Sequence, residues 1–221
     1  MITKNNFAEV LETLEFKKSG NIMYKKYRSF NCELKVDFAK EKLIYPEEIR
    51  GRERNDDFEM PENLVVFECV VRLLDKGYRP EHIELEKEWH LGHDAKGGRA
   101  DICVYSPDGA MLFIIECKTY GKKFDKAYND TNLDGAQLFS YWQQERATKW
   151  LILYASDLFD GKIVWKAPTI SCSDDPNILI GAKKDKEIKV YSTAYTAVEK
   201  HLVWKETYSS RWYDDIVFSE D

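Results

Sequence analysis

The stretch Met111-Leu112-Phe113-Ile114-Ile115-Glu116-Cys117-Lys118 constrains the fold more than any other in the chain. Its apolar part is far shorter than the roughly 18 residues a membrane span needs. It is also too uniformly apolar for a strand with one wet face, and it fits a central strand buried on both sides. Ahead of it lies Ser106-Pro107-Asp108-Gly109, a strong turn signal. Before the turn, Arg99 to Tyr105 reads as a second strand. The expected hairpin carries Asp101 on one strand and Glu116 and Lys118 on the other.

The surroundings extend this pattern. Pro61 opens a helix at a position where proline is tolerated, Leu64 to Leu74 fill it, and Gly77 ends it. The helix is apolar on most sides, so burial is expected. Ile83, Leu85, Lys87 and Trp89 alternate as a strand with one buried face. After a basic loop holding Lys122, Lys123 and Lys126, Leu133 to Ala147 reads as a helix and Trp150 to Tyr154 as a buried strand. The order is helix, three strands, helix, strand: an antiparallel meander, then a crossover that lays a fourth strand alongside.

Phe7, Val10, Leu11 and Leu14 mark an amphipathic helix near the N-terminus, and Ile22 to Tyr45 is strand-like. Within it, Tyr24 to Phe30 mixes basic and aromatic residues; a half-buried strand accounts for this better than a nucleic-acid stacking stripe. The polar run Arg50 to Glu59 suggests a boundary. Three parts are expected: an extension over 1–59, a core over 60–155, and a C-terminal extension over 156–221. The last part gives weaker strand signals at Lys162 to Ile170 and Ile188 to Tyr191, and a helix-like patch near Tyr195 to Val203.

Five cysteines, odd in number, widely spaced and never CxxC, point to reduced thiols in a cytoplasm. The N-terminal residues lack a secretory signal's apolar region, and no membrane association is expected. The formal net charge is −6, which is awkward for a chain that would hold nucleic acid unaided.

Side chains two apart on a strand share a face, so Glu116 and Lys118 stand together while Cys117 points away. The turn near Pro107 and Asp108 brings Asp101 opposite residues around 114 to 116. Two carboxylates and an ammonium thus converge at the end of a buried sheet. Metal-assisted phosphodiester hydrolysis needs this set: oxygen ligands for Mg²⁺ or Mn²⁺, and a cation to steer water and offset developing charge. The tripeptide E-x-K alone is weak, occurring four times, at Glu15, Glu33, Glu116 and Glu187. The first two have no Asp upstream, and the fourth follows Asp174 and Asp175 in a polar loop. Only the third follows a strand, a turn and a strand with Asp at its start.

Gly98-Arg99-Ala100-Asp101 and Ile115-Glu116-Cys117-Lys118 in this setting resemble the PD-(D/E)xK nuclease signature. More narrowly, the chain resembles the N-terminal nuclease domain of type I restriction enzyme restriction subunits and related single-chain enzymes. In those a Q-x-x-x-Y motif follows the catalytic lysine, matched here by Gln137 and Tyr141. The resemblance covers about residues 60 to 155. It implies an α/β, restriction-endonuclease-like core (αβββαβ, a central mixed sheet flanked by helices). Asp101 and Glu116 would be metal ligands and Lys118 would orient or activate water. Gln137 and Tyr141 would position the phosphate or Lys118. A further carboxylate from the first core helix is expected at Glu62, with Glu68 the rival and read as lying on that helix's exposed edge.

Lys122, Lys123 and Lys126 are equally readable as phosphate contacts or as a solvated loop, and His90-x-x-His93 as loop surface. The implied partners are DNA, a helicase-type motor, and methyltransferase and specificity components, in the same polypeptide or complex. A motor that grips DNA would reconcile the acidic charge with the chemistry. No G-x-x-x-x-G-K-[ST] loop is present, so no ATPase is expected in this chain. A non-catalytic interaction module on the same fold, or a repair or recombination nuclease, are the competing readings.

Overall fold

The computed structural model describes residues 1–172 except Asn55, residues 92–94 and Gly135. The segments expected at Ile188 to Tyr191 and Tyr195 to Val203 lie outside the described residues, as does His93.

The chain begins with helix α1 (Phe7–Thr13) and a meander of four antiparallel strands, β1 (Lys17–Ser19), β2 (Ile22–Tyr27), β3 (Cys32–Asp37) and β4 (Lys42–Ile44). The basic–aromatic run falls on β2 and the turn after it. Tyr27 is buried and its hydroxyl bonds to the Val71 carbonyl, whereas Tyr24 sits on the opposite, half-exposed face.

Helix α2 (Pro61–Asp75) follows, with Pro61 at its start as expected. A second sheet is built from β5 (Ile83–Leu91), β6 (Ala95–Tyr105), β7 (Met111–Cys117), β8 (Trp150–Phe159), β9 (Lys162–Lys166) and β10 (Thr169–Ser171). Between β7 and β8 the chain passes through α3 (Lys122–Asp134) and α4 (Ala136–Gln144). Strands β5, β6 and β7 pair antiparallel, β8 joins β7 in parallel, and β9 and β10 both pair antiparallel with β8. The architecture is the expected α/β one, a central mixed sheet flanked by helices. Every residue of β7 is buried, which is what its unbroken apolar run demands.

Helix α2 lies between the two sheets. One apolar cluster joins Phe7, Met23, Leu34 and Val36 to Val66, Phe67 and Val70 of α2, and continues into Ile102, Phe113 and Ile152 of the larger sheet. Residues 1–59 and the core therefore share one interior. A second cluster, on the far face of the larger sheet, packs Ile114, Leu151 and Leu153 against Phe124, Leu138 and Trp142 of α3 and α4. The segment after the meander is pinned to the edge strand, since Arg50 exchanges backbone hydrogen bonds with Ile83 and Leu85. Gly51 follows with φ +70, and a Cβ there would lie 2.0 Å from the Leu85 carbonyl oxygen, so only glycine fits.

Three expectations are corrected. The basic loop after β7 is helical, because Phe124, Tyr128 and Thr131 form a narrow inward stripe that the surrounding lysines and aspartates obscure. The expected single helix over Leu133 to Ala147 is accordingly the end of α3 plus α4. Glu68, read as exposed, is fully buried: Arg72 one turn on donates to it at 2.8 Å and the Tyr154 hydroxyl at 2.6 Å. A buried carboxylate is tolerable when charge-paired and hydrogen-bonded in this way. Cys32, Cys69, Cys103, Cys117 and Cys172 are all free thiols. Among the described residues no helix is long and apolar enough to cross a membrane.

Candidate active site

Asp101, in the middle of β6, and Glu116 and Lys118, at the C-terminal end of β7, meet beside the first turn of α2. Ile102 pairs with Ile115, and Asp101 and Glu116 each stand one residue beyond that pair at the same end of the two strands. The Cys117 backbone N–H donates to Asp101 Oδ2 at 2.6 Å. The Lys118 ammonium donates to the Glu116 carboxylate and lies 4.0 Å from Glu62 Oε1. Its own backbone N–H donates to the Tyr154 carbonyl at 2.8 Å, carrying the parallel pairing one residue past the end of β7. Cys117 points the other way, into the cluster around α2.

Both carboxylates are under electrostatic pressure. Burial, then the charge of Glu116, pushes the Asp101 carboxyl well above the usual carboxylate range. Burial also raises Glu116, against the opposing pull of Lys118 and Tyr141. Burial works to lower Lys118, but Glu116 and Asp101 outweigh it and hold the ammonium above its ordinary value. Two crowded carboxylates beside one ammonium make a place where an added cation is favoured.

Helix α4 supplies the lateral support. The Tyr141 hydroxyl lies 2.6 Å from the Arg99 carbonyl oxygen and 3.1 Å from Glu116 Oε2, and Gln137 Nε2 donates to it at 3.3 Å. The Tyr141 ring stacks on Trp89, centroids 5.4 Å apart. Gly98 closes in on the same ring, where a Cβ would come within 2.4 Å of Cε1. Tyr141 is thus fitted into a slot, and its oxygen is aimed at Glu116. Gln137 is exposed and touches the carboxylates only through Tyr141.

Two cavities flank Lys118 and Glu62, which line both. One, of about 330 Å³, runs past Glu116 toward Lys123, Lys126, Thr131 and Gln137. The other, of about 290 Å³, holds Asp101, Glu86, Arg99 and Asn63. Of the three lysines singled out in the sequence, Lys123 and Lys126 line the first cavity, while Lys122 is exposed on the first turn of α3 without lining it. Lys123 Nζ approaches Glu62 Oε2 at 3.5 Å. Of the two rival carboxylates on α2, Glu62 reaches this cleft, and Glu68 is committed to Arg72 and Tyr154.

Sequence reasoning missed Glu86 and Arg99. On a regular strand Glu86 would point away from the face of Ile83 and Leu85, to be read as solvated. It is instead 3% exposed, has φ +55, and is ion-paired with Arg99. The buried side of β5 changes at this point: Ile83 and Leu85 pack toward α2, whereas Trp89 packs toward α4. The available signal was Arg99 itself, two residues before Asp101 on the same strand.

Residues 62–154 match the model of a protein family described as the type I restriction enzyme R protein N terminus. The matched segment begins at Glu62 and contains every residue of the cleft described above apart from those preceding α2. It is therefore similar to a restriction-enzyme module. No curated protein matches the chain.

Proposed function

We propose that the chain is a divalent-metal-dependent DNA endonuclease of the PD-(D/E)xK type, the cleavage module of a type I-like restriction–modification enzyme. One observation carries this reading: Asp101 and Glu116 stand one residue beyond the Ile102–Ile115 pair on adjacent strands, with the Lys118 ammonium between Glu116 and Glu62. The family match over residues 62–154 supports restriction as its setting.

The donor set suits Mg²⁺ or Mn²⁺. Among the described residues no three His, Cys, Asp or Glu side chains are grouped so as to hold a metal ion. Two carboxylates, with Glu62 nearby, leave most of an octahedral shell to water and phosphate, which is how Mg²⁺ is commonly held. Asp101 and Glu116 would hold the ion. When bound, it polarises the phosphate and lowers the pKa of coordinated water. Lys118, kept as an ammonium by its acidic neighbours, donates hydrogen bonds to the attacking water or a phosphate oxygen and offsets charge that grows in the transition state. Tyr141 fixes the Glu116 carboxylate, and Gln137 fixes Tyr141. Lys123 and Lys126 supply positive charge where a flanking phosphate would enter the larger cavity.

An overall charge of −6 accords with DNA being gripped elsewhere, by a motor and by methyltransferase and specificity components of the same polypeptide or complex. We assign the reaction to the cytoplasm, where the five free thiols stay reduced. The test is calorimetric titration of Mn²⁺ into the wild type and Glu116→Ala, followed by incubation of each with supercoiled plasmid. Binding and nicking that both vanish in the variant uphold the proposal. A wild type that neither binds Mn²⁺ nor nicks would favour a non-catalytic interaction module. A repair or recombination role remains the rival biological setting and is separated by whether motor motifs follow in the same gene product.

A further inference from the structure

Arg99 and Asp101 are two residues apart on β6 and line the same cavity, together with Lys118 and Glu86. The Arg99 side chain is 53% exposed, yet its Nε is tied to Glu86 Oε2, whose own side chain is only 2% exposed. The guanidinium is therefore anchored at one end and open at the other. The contact is an ion pair through Nε, and the terminal fork is the part that matches two phosphate oxygens in a plane.

The charge around this cavity calls for such a group. Among the described residues, Asp57, Glu59, Glu62, Glu86 and Asp101 line it against Lys118 and Arg99. Lys118 is already engaged with Glu116 and faces Glu62. A phosphodiester approaching Asp101 would meet net negative charge unless a second cation received it. Arg99 is the lining cation on the side of the cleft away from Lys123 and Lys126.

We propose that Arg99 is a phosphate-contacting residue of this site, gripping the nucleic-acid backbone on the Asp101 side, and that Glu86 is the positioning residue that aims it. The inference rests on the nuclease reading for its substrate class. In it the backbone crosses the cleft with Lys123 and Lys126 on one side of the reacting phosphate and Arg99 on the other.

The experiment measures binding of a fluorescent DNA duplex, with Ca²⁺ replacing Mg²⁺ to suppress turnover, over a series of salt concentrations. Wild type, Arg99→Ala, Glu86→Gln and the double variant are compared, with Mn²⁺ titrations and thermal melts on each. Arg99→Ala should weaken DNA binding about 10-fold at moderate salt and flatten the dependence of log Kd on log salt by ~0.9, the share of one phosphate contact. Its Mn²⁺ affinity should stay that of the wild type. Glu86→Gln should give a smaller loss in the same direction, and the double variant no more than Arg99→Ala alone. The double variant carries no charge at position 86, so it supplies the reading if Arg99→Ala melts early.

Wild-type affinity and salt slope in the double variant would overturn the proposal. So would a fall in Mn²⁺ affinity on Glu86→Gln with DNA affinity intact, since Glu86 would then serve the metal. A wild type that binds duplex in Ca²⁺ but never nicks with Mg²⁺ would count against the nuclease reading while leaving Arg99 to be judged by the salt slope. A wild type that binds no duplex at all would overturn Arg99's role.

Discussion

The Cys117 N–H and Asp101 Oδ2 are joined at 2.6 Å, so the carboxylate assigned to the metal also clasps β6 to β7 beyond their last paired residues. An asparagine at 101 keeps an oxygen for that clasp and loses the charge that burial and Glu116 oppose. Asp101→Asn should therefore abolish Mn²⁺ binding and lower nicking by at least ~10²-fold. It should also melt higher than the metal-free wild type, by about 2–4 °C for a gain on the order of 1 kcal/mol. Plasmid nicking and a melt in EDTA measure the two effects; an Asn variant that cleaves at the wild-type rate would remove Asp101 from the chemistry.

The raised carboxyls of Asp101 and Glu116 give stability a pH slope of known sign. A raised folded-state value means that the folded chain holds those protons more tightly than the unfolded one. This advantage is complete below the ordinary carboxylate value of ~4 and is lost as pH climbs through the raised value. The site thus pulls the metal-free melting temperature down as pH rises. Lys118, raised from an already alkaline value, titrates above that window. Mn²⁺ prefers the deprotonated pair, so the gap between melts with and without it should widen with pH. A gap that stays constant from pH 5 to 8 would contradict this account.

Tyr141 separates the roles of ring and hydroxyl. Tyr141→Phe keeps the ring against Trp89 and Gly98 and deletes the oxygen beside Glu116. A 10- to 100-fold loss of metal affinity or cleavage, of roughly the size seen when outer-shell partners of a metal ligand are removed, is expected with the fold intact. Gly98→Ala should act through the same oxygen by displacing the ring, and should also cost about 1–3 kcal/mol as overpacking. If Gly98→Ala lowers stability but leaves cleavage untouched, the slot does not aim Tyr141.

Glu62 and Glu68 lie on one helix and should fail differently. Glu68→Ala takes the carboxylate from Arg72 inside the interior, a loss of about 3–5 kcal/mol visible in urea denaturation. Glu62→Ala, at a partly exposed first-turn position, should move stability by less than ~1 kcal/mol and weaken Mn²⁺ binding instead. Equal effects of the two on Mn²⁺ affinity would refute the division.

The hairpin was readable because each of its signals is local: a run of apolar residues, a Pro-Asp-Gly turn, and an alternation that decides which side chains are neighbours. That logic set Asp101 opposite residues around 114 to 116, with a bulge or the sheet twist needed to bring it beside Glu116. It failed at Glu68, whose burial depends on Tyr154, 86 positions away, offering a hydroxyl. It failed again at Glu86, where a left-handed backbone and a change of buried side break the alternation that strand reading assumes. Helix α3 was hidden by composition, since a stripe of few apolar residues suffices when the sheet beneath it supplies the rest of the contact.

Helix α2 is covered on one side by strands that precede it and on the other by strands that follow it. A ribosome delivers the meander and α2 well before β7 and β8 emerge. Until Lys118 has left the exit tunnel, Glu62 on the first turn of the helix has no ammonium to face, and until Tyr154 follows, Glu68 lacks one of its partners. The nascent chain therefore cannot bring Glu62 and Lys118 together early, and its half-covered helix is the stretch on which a chaperone would act.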